Sequence, residues 1–292
     1  NPTPYNLNLT NRVKHKFNPE VSATCPLCSE LDGIRHRLPH CPALEYLRAD
    51  DHWSQLQGLP DAILLGGLLP HSSVMEDFAT QLDNLRFPMV EPLPEFDGVH
   101  HLFTDGSGKK GDFPNEFLCS FAVTLAEPHS AENLPLLSAL LPGREQTVFR
   151  AELAAVVVAL QYSTCSNIYT DNQAVALSVQ RLLLLGWDEK YWANKGNLDL
   201  WRSVWALLCR PGCSHRISWV KAHRAPHQAS GAHDLWTIIR NDRADAAAAF
   251  CDRLVPLDLQ LARDQLHHEN CAFASIRRNV ALFQRNVWQH FT

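Results

Sequence analysis

The chain predicts an α/β domain, a mixed five-stranded sheet flanked by helices, preceded by a Cys/His-rich segment and a helical connector. Three observations predict it. Short strand-like apolar runs and longer runs of helical period follow one another between residues 99 and 255, in the order strand, strand, strand, helix, strand, helix, helix, strand, helix. Gly, Pro and Asn residues punctuate these runs. Four acids, Asp105, Glu152, Asp171 and Asp245, fall at strand ends or on helical patterns.

Taken in order, residues 1–45 hold the Cys/His cluster and 46–98 read as a helical, acidic connector that ends in a linker with three prolines, PMVEPLPEFDG. The blocks ALEYLRADDHWSQL and SVMEDFATQLDNL supply its helical pattern. Within 99–255, HHLFTDGSG, EFLCSFAVTLAE and LPLLSALLP read as strands, and VFRAELAAVVVALQYS reads as a helix. NIYTDN is a short strand, and QAVALSVQRLLLLG is a helix closing on Gly186. NLDLWRSVWALLCRPG is a helix with a Gly/Pro stop, HRISWVKAH is a strand and NDRADAAAAFCDRL is an Ala-rich helix. Residues 256–292 form a helical tail. The tryptophans Trp187, Trp192, Trp201 and Trp205 are expected in the core.

Composition narrows the function classes. The 292 residues are 46% hydrophobic and 20% charged, enough for one large or two smaller folded domains. No apolar run approaches the ~20 residues of a membrane span; AILLGGLLP (62–70) comes nearest, so no membrane partner is expected. The net charge is −5, but ten acidic residues against two basic ones lie in 42–98, while 99–255 is balanced. No basic stripe is visible, so affinity from phosphate contacts should be modest. Nine cysteines cannot all pair within the chain, which favours an intracellular, reducing compartment, cytoplasm or nucleus. The first residue is Asn1, not Met, which suggests a processed product or a fragment of a longer polyprotein.

Cys25, Cys28, His36 and Cys41 are spaced C-x2-C-x7-H-x4-C. Three thiolates and an imidazole suit a closed tetrahedral structural Zn²⁺ site. His40 is the rival ligand, but its adjacency to Cys41 would strain joint ligation. Cys209, Cys213 and His215, and likewise His267, His268 and Cys271, are weaker candidates for a second metal.

The four acids point to a different metal. Gathered at one place they repel one another, and each raises its neighbours' pKa unless cations neutralise them. Oxygen-only ligands suit Mg²⁺ or Mn²⁺, and a pair of such ions suits phosphodiester hydrolysis. Singly, each acid reads as a turn former or a solvated helix residue; the set outweighs that reading.

Several motifs in order carry a resemblance. They are Thr104-Asp105-Gly106-Ser107, Arg150-Ala151-Glu152-Leu153, Thr170-Asp171-Asn172-Gln173, Asn197-Leu198-Asp199-Leu200-Trp201, Trp219-Val220-Lys221-Ala222-His223 and Asn241-Asp242-Arg243-Ala244-Asp245. Residues 99–255 thereby resemble the type I ribonuclease H family, as carried by retroelement reverse transcriptases. The resemblance implies that Asp105 bridges two ions, that Glu152 and Asp171 hold the one on the leaving-group side, and that Asp245 holds the one activating water. It selects Asp245 over Asp242, and it assigns His223 to proton movement or product release, ahead of His227 and His233 in the same loop. Gly106, Ser107 and Gln173 are the implied substrate contacts, where 2′-hydroxyls can be sensed.

The Cys/His segment is similar to the zinc-binding segment of non-LTR retrotransposon polyproteins, with an upstream reverse transcriptase as the implied partner. The expected activity is hydrolysis of the RNA strand of RNA·DNA hybrids. Three departures weigh against independent substrate affinity. Val148-Phe149 stand where many cellular members have two asparagines, residues 186–196 carry only Lys190 and Lys195, and the loop from His223 to Asn241 is long. A non-catalytic nucleic-acid-binding module and a DNA-directed nuclease of the same fold are the rival readings.

Overall fold

The structure is a computed structural model that describes residues 10–11, 15–16, 18–33, 35–48, 56, 59, 63, 72–94, 98–126, 133–250, 253 and 255–290. Of the expected connector, most of 49–71 lies outside the described residues. Before it, the chain makes one helical turn at Glu45–Arg48. Two compact units emerge, Val74–His267, and Asn1–Ser73 together with His268–Thr292.

The larger unit holds the sheet. Its strands are β1 (His100–Lys109), β2 (Leu118–Ala126), β3 (Asn133–Leu140), β4 (Cys165–Thr170) and β5 (Ser214–Trp219), in the order β3-β2-β1-β4-β5. β1, β2 and β3 pair antiparallel, whereas β1, β4 and β5 pair parallel. This is the mixed sheet that the order of runs predicts. Its helices are α1 (Ser73–Asn84), α2 (Val148–Tyr162), α3 (Gln173–Leu185), α4 (Leu198–Leu208), α5 (Ala232–Phe250) and the start of α6 (Leu257–Trp288).

Alternation along β1 separates two faces. Leu102 joins the large core around α2, α3 and α4, while Phe103 joins Tyr169 and Ala244 of α5. Helix α2 is apolar almost all round and buried over most of its length, as its unbroken Ala/Val/Leu run requires. Trp192 and Trp201 are buried in the same core, and Trp187 stacks on Trp192. Leu93 donates its amide to the Tyr162 carbonyl at 2.7 Å, and Val90 and Leu93 pack on this core, so the proline-containing stretch before residue 95 is seated against α2.

Two elements differ from expectation. β5 ends at Trp219, opposite Thr170, the last residue of β4; the Val220 amide still donates to the Thr170 carbonyl at 3.0 Å, and the chain then turns at Ala222–His223. Helix α5 begins at Ala232, well before Asn241, so most of the expected long loop is helix. Thr237, Asn241, Ala244 and Ala248 recur at helical spacing on its buried face, a signal the polar residues of that stretch disguise. Asp234 secures the start of α5 by accepting from the Ser230 amide at 2.8 Å and from Arg224 at 2.6 Å.

The smaller unit contains the Cys/His segment and the part of α6 from His268 onward. Its core gathers Cys25, Leu38, Cys41, Leu44 and Leu56 with Val280, Phe283 and Val287. No described helix is long and apolar enough to cross a membrane.

Candidate metal centres

Strand register builds the acidic site. Thr104 of β1 pairs with Thr170 of β4 in parallel, so the next residues, Asp105 and Asp171, stand side by side and point to the same face. β4 stops there while β1 runs on to Lys109, which leaves the β4-side edge of β1 open at Asp105. Across β1, Asp105 faces the small, fully buried Ala122.

Glu152 reaches this point because α2 lies directly on β1 at Gly106. A β-carbon at Gly106 would come within 2.4 Å of the Glu152 amide nitrogen and 2.9 Å of the Ala151 carbonyl carbon. Oxygens of Asp105, Glu152 and Asp171 thereby lie within 4.8 Å of one another. Burial, reinforced by the Asp171 and Asp245 charges, pushes Asp105 up to about 7. Burial and the two neighbouring aspartates likewise hold Glu152 well above the usual carboxylate range. The Gly106 amide bonds to both carboxylates and only partly offsets this.

The three carboxylates could bind a metal ion. Glu152 and Asp105 are each 4% exposed, and the buried Glu152 Oε2 has no hydrogen-bond partner among the described residues. A hard divalent cation satisfies such an oxygen and removes the mutual repulsion.

Asp245 stands outside this group of three, on α5 one turn beyond Asn241, with a side chain 44% exposed. Its charge still acts on Asp105. His223, with a left-handed backbone (φ 52°) and a side chain 81% exposed, puts Nδ1 at 4.0 Å from Asp245 Oδ2. Asp242, the rival to Asp245, is exposed in the middle of α5; partial desolvation and the Asp245 charge raise it. Ser107 is half-buried on β1, and Gln173 is exposed at the first position of α3. Gly106, expected to face substrate, has its α-carbon covered by α2.

Asn241 is not among the expected site residues. In the structure it is 3% exposed, and its Nδ2 donates to Asp171 Oδ2 at 3.3 Å. Its four-residue spacing from Asp245, one helical turn, was the available signal. Trp219 Nε1 donates to the Asp171 carbonyl at 3.0 Å, and Asn172 caps α3 by accepting from the Val175 amide. Two separate motifs also meet: Arg150 bonds both Asp199 carboxylate oxygens at 2.9 and 2.6 Å and Asn197 Oδ1 at 2.9 Å, joining α2 to α4. Asn197 accepts the left-handed conformation (φ 61°) that sets this turn.

In the smaller unit, ligand atoms of Cys25, Cys28, His36 and Cys41 also lie within 4.8 Å of one another. The Cys25–Cys41 and Cys28–Cys41 sulfur separations are 3.9 and 3.8 Å. That is too long for a disulfide and close to the ~3.8 Å between two thiolates on one tetrahedral zinc with ~2.3 Å bonds. His36 Nε2 faces Cys28 Sγ at 3.0 Å, while its Nδ1 lies 3.2 Å from Glu30, which orients the ring. Burial and the neighbouring sulfurs push the Cys41 thiol up to about 12, an effect that a bound cation would reverse. The Cys₃His cluster could therefore bind a metal. His40 is exposed and takes no part. The weaker candidates are otherwise engaged or scattered: His215 Nδ1 bonds Ser166 at 2.9 Å, Cys209 is exposed, and His267 turns to Glu116 at 3.2 Å.

The RNase H family model matches residues 98–250. Among solved structures, the chain is similar to the protease–reverse transcriptase of prototype foamy virus, at 23% identity over 56% of this chain and 21% of that one, with a TM-score of 0.41. It is also similar to RNase H1 from the halophilic archaeon Halobacterium salinarum NRC-1, at 20% identity over 52% and 96% of the two chains, with a TM-score of 0.32. A third is LC11-RNase H1, solved in complex with an RNA/DNA hybrid, at 12% identity over 54% and 99%, with a TM-score of 0.37. The chain spans about a fifth of the foamy-virus protein's length. No curated protein sequence matches it.

Proposed function

The chain belongs to the RNase H family, and from that premise we propose that it cleaves the RNA strand of RNA·DNA hybrids endonucleolytically, leaving 5′-phosphate and 3′-hydroxyl ends. The observation that carries this reading is the buried convergence of Asp105, Glu152 and Asp171 within 4.8 Å. These three, with Asp245 as fourth ligand, would hold two Mg²⁺ or Mn²⁺ ions. Such ions, when bound, polarise the scissile phosphate, lower the pKa of the attacking water and offset charge on the departing 3′-oxygen.

The chain's own residues do the rest. Asp105 would be the central ligand, Glu152 and Asp171 would serve the leaving-group side, and Asp245 would serve the water side. The Asn241 amide restrains the Asp171 carboxylate by donating to its Oδ2. His223, exposed beside Asp245, would assist proton movement or product release. Ser107 and Gln173 meet the hybrid's sugars, where the 2′-hydroxyl separates RNA from DNA. Gly106 acts chiefly by letting α2 deliver Glu152.

The Cys₃His cluster is proposed to bind structural Zn²⁺. The chain is proposed to work inside the cell as part of a non-LTR-retrotransposon-like polyprotein, with an upstream reverse transcriptase as partner and residues 46–98 as connector.

The test is Mg²⁺-dependent cleavage of an end-labelled hybrid, with duplex DNA and duplex RNA as controls and Asp171→Asn in parallel. Cleavage confined to the RNA strand of hybrid and lost in the variant is the expected result. Cutting of duplex DNA instead would make the chain a DNA-directed nuclease. Binding without cleavage in either Mg²⁺ or Mn²⁺ would make it a non-catalytic module.

A further inference from the structure

We infer that the Cys/His segment and the last part of the C-terminal helix are two halves of one zinc-organised core, so that metal binding near one end of the chain governs folding near the other. The inference rests on Cys25, Cys28, His36 and Cys41 being zinc ligands and is independent of the nuclease reading.

Ligands and helix-contacting residues alternate along one short stretch. His36 is a ligand. Arg37 follows it, with its guanidinium 5.2 Å from the Trp288 ring centroid. Leu38 is 2% exposed, Cys41 is a ligand at 0%, and Leu44 is 1% exposed; all three share a core with Val280, Phe283 and Val287. Ligation of His36 and Cys41 therefore sets the positions of the side chains that receive the helix.

The helix supplies a matching stripe. Ile276, Val280, Phe283 and Val287 are spaced four, three and four residues apart, which places them on one face of α6. Arg277, Arg278 and Arg285 lie on its exposed surface. Polar contacts secure the edges of the core. Asp32 accepts from Arg37 Nε at 2.7 Å and Nη2 at 2.5 Å, which aims the guanidinium at Trp288. The Tyr46 hydroxyl lies 2.9 Å from His290 Nε2, and Arg48 donates to the Cys41 carbonyl at 2.7 Å.

Neither half suffices alone. A Cys/His segment of a few tens of residues buries too little apolar surface to fold unaided, and metals commonly make up the difference. The isolated end of a helix has nothing to cover its apolar stripe. Because coupling is reciprocal, whatever zinc contributes to the helix, the helix contributes equally to zinc affinity.

The experiment uses the full chain. Amide exchange is followed before and after removal of zinc by a zinc-selective chelator, with Mg²⁺ kept present. The expected result is at least a tenfold loss of protection over 276–288, with β1 and α2 unchanged. In parallel, Val287→Ala and Phe283→Asp should weaken zinc affinity at least tenfold, whereas Leu282→Asp, on the exposed side of the same helix, should leave it unchanged. A chain that binds one zinc yet keeps its helix protection after zinc removal would overturn the inference and spare the zinc assignment. A chain that binds no zinc would overturn both.

Discussion

At the scale of the residue, the site is an electrostatic compromise. Asp105 and Glu152 are each carboxylates that burial and neighbouring charge push toward the protonated form. The sign of the consequence follows from linkage. Between an unfolded value near 3.8 and a folded value of about 7, folded Asp105 holds a proton that the unfolded chain has lost. Stability without divalent metal should therefore fall as pH rises through that window. We expect the thermal midpoint of the metal-stripped chain to be lower at pH 8 than at pH 5.5, and Mg²⁺ to raise it more at pH 8. Near-UV circular dichroism would follow both, and Asp105→Asn should flatten the pH dependence. Asn241 offers a second check. Asn241→Asp turns a donor into one more negative charge beside Asp171, and loss of such an orienting partner typically costs 10–100-fold in metal affinity or activity. Mg²⁺ titration of the variant would read it. The four acids were legible as sequence because each lies beside an apolar run of clear period. Asn241 was not, because an amide's contribution depends on which carboxylate it meets.

At the scale of the element, one close packing positions the site. Gly106 is required not by a turn but because the α2 backbone occupies the place of its side chain. Gly106→Ala would push α2 off β1 and carry Glu152 with it. We expect a loss of about 1–3 kcal/mol from overpacking, measured by urea unfolding, together with a fall in metal affinity. The Arg150 clamp makes a separate prediction. Arg150→Lys loses the paired bonds to Asp199, whose side chain is 59% exposed, so the cost should be only about 1 kcal/mol by the same measurement. Strand and helix identities were readable from periodicity through most of 99–255. The start of α5 was not, because polar Thr237, Arg240 and Asn241 share its buried face with Ile238 and Ala244 and break the apolar period. Trp236 packs there against Phe103 and Tyr169, and at the far end of the helix Ser120 and Ser138 donate to the carbonyls of Ala248 and Ala247.

At the scale of the whole molecule, charge and organisation separate. A chain of net charge −5 whose sheet-bearing stretch is balanced should bind hybrid through few phosphate contacts. The affinity of Asp171→Asn for hybrid, read by fluorescence anisotropy, should then fall with salt with a log–log slope shallower than about −5, at roughly 0.9 per neutralised phosphate. A steeper slope would mean that a basic surface assembles from residues dispersed along the sequence. The two compact units were not legible either. A linear reading separates a Cys/His segment from a helical tail at opposite ends of the chain, whereas the fold places both in one core.

What the sequence determined by itself was local: the order of strands and helices, the residues able to ligate metal, and the oxygen or sulfur character of each site. These follow from periodicity, spacing and donor chemistry, which neighbouring residues carry. The tertiary structure alone decided which donors converge. Parallel pairing of β1 with β4 sets Asp171 beside Asp105, the bare Gly106 admits Glu152, and Asp245 remains at the margin on α5. Distances between residues tens of positions apart depend on strand register and on how closely backbones pack, and neither is encoded at any single position.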